Sequence, residues 1–374
     1  LTYFSGQPDA WQLEMKESVE LNTIRAALNA RSILETGVTT IGDGGCRGYI
    51  GPAIRDAVKL GLISGPRVVA AGPILTGTAG LLDNMPVWVR YESDAALGMV
   101  VDGPNEVRRA VRRQIKGGVD WIKVAASGVA GSPYSTAVFD DLSYEEIVAA
   151  IREAAKYGKN VHAHAHSRDG IKAAVRAGVL SLHSGEFADE EGLLLMREHG
   201  VIFSPTIAWL HARCLPGYSL AGDPEFLAEA RRAYDAAVAA VICARELGVK
   251  MALGTDAAHR FWHVPDAVFE LEYFVALGYT PLEAITAATK TAAEALDRGA
   301  LLGTLEPGKL ADLLVVDGDP ASDIRVLRDK RAIVHALKEG REVALPPDRG
   351  WVGEDVAVAE AVRQSRGWPR AAVR

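Results

Sequence analysis

The chain has 374 residues, 24% charged and 49% hydrophobic, with a formal net charge of −7. That length suits one large α/β domain or two medium ones, with a core large enough to stand without disulfides. The acidic balance argues against a nucleic-acid partner, three scattered cysteines (Cys46, Cys214, Cys243) against a disulfide framework or cysteine zinc site, and the absence of an apolar run of about 18 residues against a membrane span.

Along the chain a short β-branched or apolar run is repeatedly followed by a helical pattern. A helix over 13–35 precedes a strand at 37–42 and a helix at 52–61. The strand at 66–72 runs into a long Gly/Pro-rich stretch and then a helix at 104–117. Strands at 119–127, 159–165, 179–184 and 200–206 alternate with helices at 143–157, 169–177, 188–199 and 225–247. A last strand at 249–255 is followed by helices at 264–277 and 281–296. Alternation of this kind predicts parallel strands with right-handed crossovers. Seven units are one short of a closed eight-stranded barrel. The rival, a doubly wound open sheet, needs a Gly-rich phosphate loop after an early strand, and the sequence has none. Beyond 298 the segments 303–320 and 332–343 read as short strands around turns, a small β appendage, and 348–374 as a polar, basic tail.

In a parallel barrel the chemistry sits at the C-terminal ends of the strands. Lys123 ends one strand, His162, His164 and His166 the next, His183 and Ser184 the next, and Asp256 the last. A lysine, a histidine cluster and an aspartate on one rim have the composition of a metal site. The i, i+2, i+4 spacing puts the three histidines on one strand face. The lumen face is preferred, because imidazoles set against packed helices would be left unpaired. His164 is the candidate ligand, with His162 and His166 as supporting or substrate-facing groups. Lys123 is either a snorkelling or salt-bridged lysine or an amine that takes up carbon dioxide to become an anionic ligand. Asp256 is either a helix N-cap or a general base beside a metal. Aromatic loops bring Trp88, Tyr91, Trp209, Phe261 and Trp262 toward the rim, with Arg90, Arg213, His259, Arg260 and His263 as polar candidates for substrate.

Several segments resemble the metal-dependent amidohydrolase superfamily, in the branch of the imidazolonepropionase-like proteins and prolidase-type dipeptidases. They are GTLEPGKLADLLVVDGDP (303–320), TPLEAITAATKTAAEAL (280–296), ETGVTTIGD (35–43), VDWIKVAASG around Lys123, HAHS (164–167) and GTDA (254–257). Lys123 and His164 are 41 positions apart, as in that branch. The resemblance implies a TIM-type (β/α)8 barrel with a small β-sandwich appendage. It also implies one or two divalent ions, zinc first and cobalt or manganese as alternatives, and water attack on a carbon–nitrogen bond. Lys123, His164, His183 and Asp256 would be the ligands, with Asp256 and His183 catalytic.

Three departures qualify the pattern. The family's first strand ends in H-x-H just before a leucine, and this chain opens at Leu1, so an upstream segment carrying strand one, its two ligands and half the β appendage is expected. Ser184 stands where the family's E-H-G places a histidine, with His183 one residue early, which favours a single-metal site unless a bulge turns His183 inward. Gly42 replaces an arginine before Asp43, and Asp43 reads as a scaffold residue. The expected division is a barrel over 1–298 (strands two to eight), the second half of the β domain over 299–347, and a tail over 348–374. A weaker likeness to the phenylurea and molinate (thiocarbamate) hydrolases accompanies the single-metal option.

The leading expectation is therefore metal-dependent hydrolysis of an amide, carbamate, thiocarbamate or urea in a small apolar substrate. The alternatives are a two-metal Xaa-Pro or N-acyl-amino-acid dipeptidase and an inactive barrel serving as a binding subunit. A cytoplasmic homo-oligomer with a small-molecule substrate is expected.

Overall fold

A computed structural model of the chain describes residues 1, 16–89, 96–129, 132, 134–215, 223–256 and 267–346. The first described helix, Val19–Glu35, starts where Ser18 caps it by accepting from the Leu21 amide. The strands that follow are β1 (Thr40–Asp43), β2 (Arg67–Ala70), β3 (Ile74–Thr76), β4 (Gly98–Val100), β5 (Ile122–Ala125), β6 (Val161–Ala165), β7 (Ser181–Ser184) and β8 (Ile202–Ser204). β1 pairs with β2, and β5–β6–β7–β8 pair in sequence order, all parallel. The Asp120 amide donates to Ala70 O (2.7 Å), joining β2 to the base of β5, and Phe203 bridges Met251. Among the described residues this gives seven staves, with β1 and the Met251 segment at the two ends of the series.

Two features differ from the sequence expectation. The Gly/Pro-rich stretch after β2 contains β3 and β4, which pair in parallel with each other, and β3 continues β2 upward to meet β5 at Val124. Three-residue strands are too short to show a period. The stave expected at 249–255 is reduced to a single bridge, held on its other side by the Leu253 amide donating to Ala287 O (3.0 Å). Ala287 opens a π-helical turn (Ala287–Thr291) in the following helix.

The helices cover the outside because each carries an apolar stripe between capped ends. Tyr144–Ala155 begins with a capping box from Ser143 and Glu146. Arg168–Ala177, Glu190–His199 and Pro224–Leu247 each end at a left-handed glycine. Their buried faces join Val124, Val161, Ala163, Ala165, Leu182, Val201 and Phe203 in one large core cluster. Those are alternate residues of β5 to β8. The other set (Trp121, Lys123, Ala125, His162, His164, Ser181, His183, Ile202, Ser204) therefore faces the lumen.

The β appendage is a three-stranded antiparallel sheet of β9 (Leu313–Val316), β10 (Ile333–Lys338) and β11 (Arg341–Glu342). Arg67, at the foot of β2, donates to Asp312 at 2.9 Å and so ties this sheet to the barrel. The buried Glu272–Arg328 ion pair makes a second joint. Among the described residues no helix is long and apolar enough to cross a membrane. The tail expected at 348–374 lies outside the described residues.

Candidate active site

The floor of the lumen is apolar. Trp121 is buried against Val69 and Leu296, and its indole N–H donates to Val69 O (2.9 Å); Ile202, Ala252 and Ala295 fill the opposite wall. The His162 ring packs on Trp121 with centroids 3.9 Å apart. Above it a chain of polar contacts crosses three strands: His162 Nδ1 to Ser181 Oγ (2.6 Å), Ser181 Oγ to His183 Nε2 (2.9 Å), and His183 Nδ1 to Lys123 Nζ (2.5 Å). One direction of donation is consistent with all three contacts. The Lys123 amine donates to His183, His183 Nε2–H to Ser181, and the Ser181 hydroxyl to His162.

This direction requires neutral His183 and His162 rings, which burial favours, and holds for Lys123 as amine or ammonium. Desolvation pulls Lys123 down to about 7, against the opposing pull of the Asp256 carboxylate. His162, His164 and His183 are all held well below the ordinary imidazole range, first by burial and then by neighbouring cationic groups, Lys123 among them.

His183 was expected as a ligand and catalytic group, one residue out of step with the family. Alternation puts it on the lumen face with no bulge, in register with His164 on β6 and Ser204 on β8. Its two ring nitrogens are taken by Lys123 and Ser181. Ser184, in the position of the family's histidine, is buried and has φ +78°, followed by Gly185 at +77°. A Cβ on Gly185 would lie 2.5 Å from the Phe203 ring, so this sharp exit from β7 depends on glycine.

His164 and His166 stand at the top of β6. The Gly128 backbone hydrogen-bonds the His164 ring, and its Nε2 is buried without a partner. His166 is fully buried; its amide donates to Ser127 Oγ (2.6 Å), its Nδ1 meets Glu186 Oε2, and its Nε2 is buried without a partner. Asp256 closes the last stave with φ +45° and is exposed. Its expected role as an N-cap falls on residues 257–266, outside the described residues.

The remaining candidates scatter. Trp88 is 80% exposed, while Trp209 is buried in the short helix Ile207–Ala212 after β8. Arg213, expected to meet a substrate carboxylate, is instead buried, its guanidinium 4.8 Å from the Trp209 ring centre and 5.0 Å from that of Phe226. A delocalised, weakly hydrated cation stacks well on aromatic faces, and this favours burial over the rim. Arg90, Tyr91, His259, Arg260, Phe261, Trp262 and His263 lie outside the described residues. Asp43 is buried beside Gly51, where a Cβ would sit 2.4 Å from its carboxylate, in keeping with a scaffold role.

Three carboxylates escaped the sequence reading. Glu186 orients His166. Asp141 accepts from Thr76 Oγ1 (2.6 Å) and the Gly77 (2.6 Å) and Leu81 (2.7 Å) amides, holding the loop above β3. Glu270 is fully buried and accepts from the Ile207 (2.9 Å) and Ala208 (2.8 Å) amides at the start of the rim helix. Only the Glu186 position, two residues after Ser184, carried a local signal.

Among the described residues no group of three or more His, Cys, Asp or Glu side chains is placed to hold a metal ion. The uncommitted donors at this end of the barrel are the buried Nε2 atoms of His164 and His166, with Lys123 bonded to His183 and the Asp256 carboxylate exposed. Imidazole nitrogens without a hydrogen-bond partner suit a divalent cation.

Comparison with known proteins agrees with this architecture. Residues 5–343 match the model of the amidohydrolase family. An ochratoxinase of Aspergillus niger is 35% identical over 351 residues, 88% of this chain and 70% of that protein. The crystal structure of A. niger ochratoxinase superposes with a TM-score of 0.80 at 32% identity, covering 95% of this chain and 84% of that one. A prolidase complexed with N-methylphosphonate-L-proline superposes with a TM-score of 0.80 at 31% identity, covering 89% and 82%.

Proposed function

The chain belongs to the amidohydrolase family and is a hydrolase of carbon–nitrogen bonds, and from that premise we propose that it cleaves the amide bond of N-acyl amino acids or dipeptides with an apolar side chain, using a divalent metal. The observation that carries the reading is Lys123: a buried lysine in contact with His183, whose amine desolvation draws down to about 7, on the strand face that also carries His164. A scaffold lysine would seek a carboxylate or open water. A neutral amine is the form that adds carbon dioxide.

Lys123 as its carbamate, His164 and Asp256 would hold the ion, zinc first, which when bound supplies a Lewis acid for the scissile carbonyl and for the attacking water. The chain's own part is positional and acid–base. His183, tied on both nitrogens, fixes Lys123 in place. Asp256, the one exposed member, takes the proton of the attacking water and returns it to the leaving nitrogen. The apolar floor of Trp121, Val69 and Leu296 closes the lower end of the lumen beneath these groups.

Amides are favoured over ureas and thiocarbamates because the ochratoxinase and the prolidase are both above 30% identity and at TM-scores of 0.80. The test is to strip the protein with chelator, reload it with zinc, cobalt or manganese in bicarbonate buffer, and assay N-acyl amino acids, dipeptides, phenylureas and thiocarbamates side by side. Amide turnover that falls by about 10²–10⁴ in Asp256→Asn is expected, with Lys123→Ala inactive. Turnover of ureas or thiocarbamates alone would overturn the substrate assignment.

A further inference from the structure

The four lumen histidines divide into two kinds. His162 and His183 are engaged through the Ser181 hydroxyl and the Lys123 amine. His164 and His166 each keep a buried Nε2 with no partner. A buried acceptor left unpaired costs about 1–3 kcal/mol. Two of them on one strand end, their ring centroids 4.2 Å apart, point to something that binds both.

His166 is the better prepared of the two. Glu186 faces its Nδ1, and both side chains are buried. A carboxylate there holds the proton on Nδ1, leaves the lone pair on Nε2 and fixes the ring plane, as carboxylates do behind metal-bound histidines. The Ser127 hydroxyl fixes its backbone from below. The spacing His164-x-His166 puts both rings on one face, and Ser184 offers no imidazole where the family has one.

We propose that His166, oriented by Glu186, is a metal-ligating residue that pairs with His164 and takes the role left open at Ser184. This rests on the reading of the barrel as metal-dependent. Nitrogens about 2.1 Å from one tetrahedral ion put their ring centres about 5 Å apart, so binding spreads the two rings by about 1 Å.

The test is titration of chelator-treated protein with Co²⁺, following the visible spectrum and the binding isotherm, together with X-ray absorption of the zinc-loaded protein to count imidazoles. In His166→Ala, metal affinity falls at least about 100-fold, one imidazole is lost from the count, and added free imidazole restores the cobalt spectrum. Glu186→Gln, which keeps the shape and drops the charge, lowers affinity by about 10-fold or more. Wild-type affinity and an unchanged cobalt spectrum in His166→Ala overturn the proposal while leaving the metal-dependent reading standing. If His166→Ala does not fold, unchanged affinity in Glu186→Gln overturns it just as well. A wild-type chain that takes up no metal ends both readings.

Discussion

Glu270 offers a way to test how the rim is held. Its carboxylate is fully buried and caps the short helix Ile207–Ala212 by accepting two amide hydrogens, at 2.9 and 2.8 Å. Burial is the larger influence, and it pushes the carboxyl from 4.5 up to about 7 despite those bonds. The folded value lies above the unfolded one, so between these pH values the folded protein binds the proton more tightly. The stability this group contributes is complete below about pH 4.5 and is lost as pH rises through about 7. At about 1.4 kcal/mol per pH unit, the gap corresponds to about 3 kcal/mol. Glu270→Gln removes the titration, keeps one acceptor and turns an N–H₂ toward the other amide. Urea unfolding of both proteins at half-unit steps from pH 4.5 to 8 gives the difference in stability, in which other titrating groups such as Asp141 cancel. That difference, wild type minus variant, should shrink by up to about 3 kcal/mol across the range. Parallel curves would refute the buried-carboxylate account of the rim helix.

Two further outcomes follow from the same physics. Arg328→Leu strands the Glu272 carboxylate in the joint between barrel and β appendage and should cost about 3–5 kcal/mol by urea unfolding, most of it regained in the double variant Glu272→Met/Arg328→Leu. Gly185→Ala places a methyl at φ +77° and 2.5 Å from the Phe203 ring, and should lower stability by about 1–3 kcal/mol and, by displacing the exit from β7, weaken metal binding through Glu186.

What was legible in the sequence was the part governed by local period and by chemistry confined to one strand. The run VHAHAH declares its own face, and the alternation of strands and helices fixed the order of the staves. Capping pairs such as Ser143 with Glu146 and Thr280 with Glu283 sat near the expected helix starts. Glu270 was not legible, because nothing in an amphipathic helix marks a carboxylate that reaches amides 62 and 63 residues away. Nor was Ser181, a small polar residue in an apolar strand that turns out to join two histidines. The helix Ile207–Ala212 follows a left-handed Thr206 and is too short to show a period, and the π turn at Ala287 depends on the barrel strand it grips. Arg213 misled for a related reason: a charge in an aromatic loop reads as exposed until its stacking partners are known.

The lumen also separates scaffold from site by a single physical criterion. A polar group buried in a barrel must be paired, and Lys123, His183, Ser181 and His162 are linked in one chain of contacts. Such a network fixes geometry. His164 and His166 differ: their Nε2 atoms are left unpaired while Gly128 and Glu186 hold the other sides of the rings. Supporting the back of an imidazole and leaving the front empty lowers stability unless a ligand fills the front. Those unpaired nitrogens are therefore where the proposed cation would sit, and Lys123, bonded to His183 as an amine, would meet it as an anionic ligand only in the carbamate form that the proposed function calls for.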